Sequence, residues 1–95
     1  MEIKKEAICG TLESNDLLVK VAPRNGLEVT ISSEVMRQFG ARIREVVEET
    51  LKQMGVSQGQ FVIEDKGALD CAIRARVQAA VLRGCDSEEL NWRGL

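Results

Sequence analysis

Leu17-Leu-Val-Lys-Val-Ala-Pro-Arg-Asn-Gly-Leu-Glu-Val-Thr-Ile-Ser32 is the stretch on which the fold reading turns. Leu17 to Ala22 is rich in β-formers and reads as a strand. Pro23 ends it, and Arg24-Asn25-Gly26 supplies a tight turn, Asn-Gly being the strongest short-range hairpin signal. Leu27 to Ser32 alternates apolar and polar side chains, as a half-buried strand does. Toward the N-terminus, Ala7 to Glu13 reads as a further short strand. Between it and Leu17 stand Ser14-Asn15-Asp16, three turn-formers in a row. Asn and Asp tolerate positive φ and hydrogen-bond their own backbone, so a hairpin turn is expected there.

Toward the C-terminus the period changes. Ser32 or Ser33 is a candidate N-cap, and Glu34 suits the positive end of a helix dipole. Val35, Phe39, Ile43, Val46, Thr50 or Leu51, and Met54 recur at steps of three and four, with charged residues between. That spacing predicts an amphipathic helix of about five to six turns, with Gly55 as the residue that ends it. Gln60 to Asp65 reads as a fourth strand and Lys66-Gly67 as a short loop. Leu69, Ala72, Ile73, Val77, Ala80 and Val81 mark a second helix closed by Gly84. Residues 1–84 are expected to form a single domain. Cys85 to Leu95 has no clear period and is expected to be a flexible or loosely docked tail.

The order is therefore β-β-β-α-β-α. Hairpins followed by helices predict an α+β two-layer sandwich, a mostly antiparallel sheet with both helices on one face. The last strand follows a helical crossover and can pair parallel with a neighbour.

At 95 residues the chain fits one compact domain. Its net charge of −2 argues against a dedicated nucleic-acid binder, which carries a basic surplus. Trp92 and two phenylalanines offer no stacking platform for single strands. No apolar run approaches the roughly 18 residues of a membrane span. The charged start Met1-Glu-Ile-Lys-Lys-Glu6 does not read as a signal peptide, so a cytoplasmic protein is expected. Cys9, Cys71 and Cys85 are far apart and form no CxxC pair, which argues for reduced, structural cysteines rather than a zinc site.

The chain has no histidine. The commonest general base is therefore missing, and no Ser/His or Cys/His nucleophile arrangement can be built. Gly55-Val-Ser-Gln-Gly59 lacks the Lys-Ser/Thr ending of a phosphate loop and precedes a strand. Asp86-Ser87 is followed by Glu88 and lacks the four-helix setting of ordinary acyl carrier proteins.

Two segments stand out. The first is Gly10-Thr-Leu-Glu-Ser-Asn-Asp16, which puts Ser14 on a polar hairpin tip where a hydroxyl is open to modification. Physics alone favours an ordinary turn serine. The second is Asp65-Lys-Gly-Ala-Leu-Asp-Cys-Ala-Ile-Arg-Ala-Arg76, a loop leading into a helix that bears Arg74, Arg76 and later Arg83. Those arginines suit an acidic partner or a phosphate. Physics alone favours a solvated face with an Asp70–Arg74 pair worth a few tenths of a kcal/mol.

Gly10-Thr-Leu-Glu-Ser-Asn-Asp16 resembles the N-terminal motif of the citrate lyase acyl carrier protein family, the gamma subunit. Asp65 to Cys71, continuing through Ile73-Arg-Ala-Arg76, resembles that family's second signature, and Gln38-Phe-Gly40 also fits. The resemblance runs from about residue 1 to residue 84. It implies a non-catalytic carrier with a 2'-(5''-phosphoribosyl)-3'-dephospho-CoA group joined to Ser14 through a phosphodiester. It implies as partners an alpha subunit that exchanges acetyl for citrate on the arm and a beta subunit that cleaves the citryl thioester to oxaloacetate. A prosthetic-group transferase and an acetylating ligase act transiently. On this reading Glu13 and Asp16 flank Ser14 with negative charge that repels the arm's phosphates. The turn at Arg24-Asn25-Gly26 is shorter than in many relatives, and the tail after Gly84 matches poorly. Citramalate lyase uses a closely similar carrier; the malonate decarboxylase carrier is a more distant match. The rival reading is a non-enzymatic α+β module docking through Arg74, Arg76 and Arg83.

Overall fold

The computed structural model describes residues 1–33 and 36–85; of residues 36–39 the backbone alone is described. The elements are β1 (Ala7–Gly10), β2 (Leu17–Ala22), β3 (Leu27–Ser33), α1 (Met36–Gln53), β4 (Gly59–Asp65) and α2 (Asp70–Cys85). The sheet order is β1-β2-β4-β3. β1 and β2 pair antiparallel, β2 and β4 pair antiparallel, and β3 and β4 pair parallel. The expected α+β architecture and the parallel pairing of the last strand are both present.

The Asn25-Gly26 turn forms, yet it does not close a hairpin. Gly26 takes a φ of 85° and its carbonyl accepts from the Gly59 N–H at 2.9 Å. β4 thereby enters between β2 and β3. The side chains explain the exchange. Phe61 and Ile63 of β4 are wholly buried, so this strand gains most from a neighbour on each side. β3 carries Glu28, Thr30 and Ser32 and tolerates an edge, where charged and polar residues also discourage pairing with other chains.

Burial alternates along β4, and alternate residues of all four strands join one core. Cys9, Val19, Val21, Ile31, Phe61 and Ile63 share that cluster with Ile43, Val46, Val47 and Leu51 of α1 and Ile73, Val77 and Val81 of α2. Both helices thus cover the same face of the sheet. The opposite face carries Ile8, Lys20 and Thr30, all exposed.

Several element ends differ from expectation. β1 stops at Gly10, because a φ of 103° turns the chain away and leaves Leu12 half exposed. Ser32 and Ser33, the N-cap candidates, lie in β3 opposite Glu64 and Asp65. α1 ends as expected at Gly55, with φ 72°, Val56 N donating to Leu51 O and Gly55 N to Lys52 O, the two bonds of a Schellman motif. Leu69 is not a core residue but precedes α2 with 72% exposure. Gly84 does not close α2. It lies inside the helix, where a Cβ would stand 2.8 Å from Val21 Cγ2. The helix continues to a buried Cys85, and residues 86–95 lie outside the described residues.

Candidate functional site

The loop from Thr11 to Asp16 is short, and a set of backbone and side-chain hydrogen bonds fixes its course. It begins at Gly10, whose positive φ no larger residue adopts cheaply. A Cβ there would also stand 1.9 Å from the Leu17 carbonyl oxygen. Thr11 N donates to that oxygen at 3.2 Å. The Thr11 hydroxyl accepts from Glu13 N at 3.2 Å and donates to Asp16 Oδ2 at 2.7 Å. Asp16 N donates to Glu13 O at 3.2 Å, closing a four-residue turn with Ser14 and Asn15 at its centre. Asn15 has a φ of 67° and Ser14 does not take a positive φ, the sign pattern of a type II turn.

A second set of bonds ties this turn to the end of β4. Asn15 N donates to Lys66 O and Lys66 N to Asp16 O, each at 2.8 Å. The carboxylate of Asp65, 2% exposed, holds the strand end in turn. It accepts from Ser33 Oγ at 2.8 Å, Gly67 N at 3.1 Å and Ala68 N at 3.0 Å. Buried polar groups are tolerated when bonded in this way. The loop between β4 and α2 is thus a shelf on which the Ser14 turn rests.

Arg76 of α2 completes the support. Its Nε and Nη2 donate to the two carboxylate oxygens of Asp16 at 3.1 and 2.9 Å, a fork-on-fork pair. The Arg76 hydrogen bonds, then those from Thr11 and Leu17, lower the Asp16 pKa from 3.8 to about 2. Asp16 therefore stays ionised and matched. Glu13, its neighbour across the turn, is exposed. Ser14 itself is exposed, and its hydroxyl bonds to no other described residue.

The two segments singled out in the sequence meet here, since Asp16 and Arg76 are 60 positions apart. The contributions of Thr11 and Asp65 were not anticipated. Asp65-Lys-Gly67 at a strand end did carry a signal, an Asp whose side chain can bond the N–H groups that follow. The rival docking face fares differently. Asp70 pairs with Arg42 of α1 at 2.7 Å rather than with Arg74, and Arg74 lies 3.7 Å from Glu49. Arg83 donates to Ile8 O at 2.7 Å. All three α2 arginines are engaged within the chain.

Beside the turn opens a cavity of about 690 Å³ between α1 and the start of α2. Asn15, Ala68 and Leu69 form part of its wall, with Ile43 and Ile73 deeper and the Arg42–Asp70 pair also lining it. Cys71 lines it too and is exposed, whereas Cys9 and Cys85 are buried; all three are free thiols. Among the described residues no group of His, Cys, Asp and Glu could hold a metal ion, and no helix is long and apolar enough to cross a membrane.

Residues 4–84 match the family described as malonate decarboxylase delta subunit. A citrate lyase acyl carrier protein of Pectobacterium atrosepticum is 57% identical over 96 aligned positions, covering all of both chains. That of Albidiferax ferrireducens is 59% identical over 97, covering all of this chain and 99% of the other. That of Klebsiella pneumoniae is 50% identical over the full length of both. The fold is shared with a chain in the crystal structure of a Pseudomonas malonate decarboxylase hetero-tetramer in complex with malonate. The TM-score is 0.76, the identity 20%, and the match covers 87% of each chain.

Proposed function

The chain belongs to the citrate lyase acyl carrier protein family, and from that premise we propose that Ser14 is the covalent attachment point of its prosthetic group. The protein is a non-catalytic acyl carrier. Carriers of this kind bear a covalent prosthetic group and work within a multi-subunit complex. The group is the phosphoribosyl-dephospho-CoA arm, held by a phosphodiester on the serine Oγ.

One observation carries the reading: Ser14 is an exposed hydroxyl, without a partner among the described residues, at the tip of a turn held by bonds from Thr11, Lys66 and Arg76. A phosphodiester needs such an oxygen and enough room for the modifying enzyme to reach it. When bound, the group supplies a thiol that holds acyl groups as thioesters, chemistry for which the protein needs no histidine. The chain's own work is mechanical. Gly10 turns the backbone, Asn15 and Lys66 lock the turn to the sheet, and Arg76 neutralises Asp16. The arm's root is thereby held on a rigid base while its free end reaches two active sites at high local concentration. Those sites belong to the alpha acyltransferase and beta lyase subunits, and the complex works in the cytoplasm.

Intact mass of protein made alongside its prosthetic-group transferase tests this reading. An adduct of the arm's mass is expected, absent from Ser14→Ala. An adduct that survives Ser14→Ala sinks it. Assay with reconstituted partner subunits, comparing citrate with citramalate, identifies the substrate; turnover of citrate is expected.

A further inference from the structure

We infer that the cavity beside the Ser14 turn is a binding site for the acetyl-pantetheine end of the arm, a pocket in which the resting thioester is shielded from water. The inference rests on the reading that Ser14 carries the arm. Asn15, next to Ser14, forms part of the cavity wall, so the arm's root and the pocket are adjacent in the chain. A volume of about 690 Å³ falls among those of small-molecule sites, about 300–1,000 Å³.

The lining fits that end of the arm. Ile43, Ala68, Leu69 and Ile73 present apolar surface to a chain of methyls, methylenes and amides. Leu69 is the second observation. Its place in the sequence pattern suits a core residue, yet it stands 72% exposed at this wall, where an apolar ligand would cover it. The charged parts of the arm do not fit. Arg42, the cationic residue among the described lining, already bonds Asp70 at 2.7 Å and Glu45 at 2.8 Å. A phosphate or a carboxylate-bearing acyl group placed here would lose its water without a free cation among the described lining residues in exchange. An acetyl group carries no such cost.

Cys71 is a reporter already in the wall. Its alkylation by N-ethylmaleimide, followed on the peptide that contains it, is to be compared between Ser14→Ala protein and acetylated protein whose intact mass shows the adduct. Buried Cys9 and Cys85 serve as references. The Cys71 rate should fall about tenfold on loading, the value for an arm bound about nine-tenths of the time. Leu69→Glu, at an exposed position that packing does not need, should bring the loaded-to-unloaded ratio of rates close to one. Equal rates in acetylated protein and in Ser14→Ala protein overturn the pocket and leave the Ser14 reading standing. Protection that persists undiminished in Leu69→Glu overturns it as well. Absence of any adduct on Ser14 overturns both.

Discussion

At the scale of single residues, two positions decide the geometry of the Ser14 turn. Gly10 is the first. Its φ of 103° and the 1.9 Å approach of a hypothetical Cβ to the Leu17 carbonyl leave no room for a side chain. Gly10→Ala should cost about 1–3 kcal/mol, the usual range for a residue forced into a sparsely populated backbone region. It should lower the urea midpoint and, by moving the turn, slow loading of Ser14. An unchanged midpoint would show that the loop relaxes freely. Asp16 is the second. Its folded pKa of about 2 lies below the ordinary 3.8, so its pairing contributes stability that is fully present above the ordinary value. That contribution is lost as the pH falls through the folded value. The stability gap between wild type and Asp16→Asn should therefore be constant near neutrality and shrink in acid across that window. Arg76→Met should show the same profile, and the double variant should lose less than the sum of the two. Parallel curves at every pH would mean that the ion pair contributes nothing.

At the scale of elements, the helix ends and the central strand carry the predictions. The Schellman bonds at Gly55 depend on a φ of 72°. Gly55→Ala should cost about 1 kcal/mol, read from denaturant midpoints, since an L side chain at C′ resists that conformation. Gly84 is required for another reason, close packing of α2. Its carbonyl also accepts from Lys4 N and Lys5 N, at 2.9 and 3.1 Å. Gly84→Val would press on Val21 and Ile3 and should destabilise by about 1–3 kcal/mol, the range for overpacking. β4 is hydrogen-bonded on both edges and buried along one side, so its amides should exchange with deuterium most slowly of the four strands. Faster exchange in β4 than in β1 would contradict its central role.

At the scale of the whole molecule, the division between what local sequence set and what the fold set follows distance along the chain. The type of every described element, the Gly55 helix stop and the Ser14-Asn15-Asp16 turn were legible, because periodicity, β-branching and turn chemistry act over a few residues. The candidate serine was legible through its flanking motif, and its exposure follows from its place on a polar turn. Which strands pair was not legible. Asn25-Gly26 signals a hairpin locally, yet β4 takes the place beside β2 because its apolar side chains gain more from a central position than those of β3. The sequence pairs Arg74 with nearby Asp70, because local spacing offers only near neighbours; Arg76 finds Asp16 and Arg74 approaches Glu49 only when the layers stack. Leu69 followed the helical period and still missed the core, because burial depends on what the opposing layer covers. The sequence by itself thus determined the elements and the residue that stands at the tip of the turn. Only the tertiary structure decided what holds that tip still and what cavity lies beside it. Both arise from contacts between segments some 50 to 60 residues apart, which chain connectivity alone does not specify.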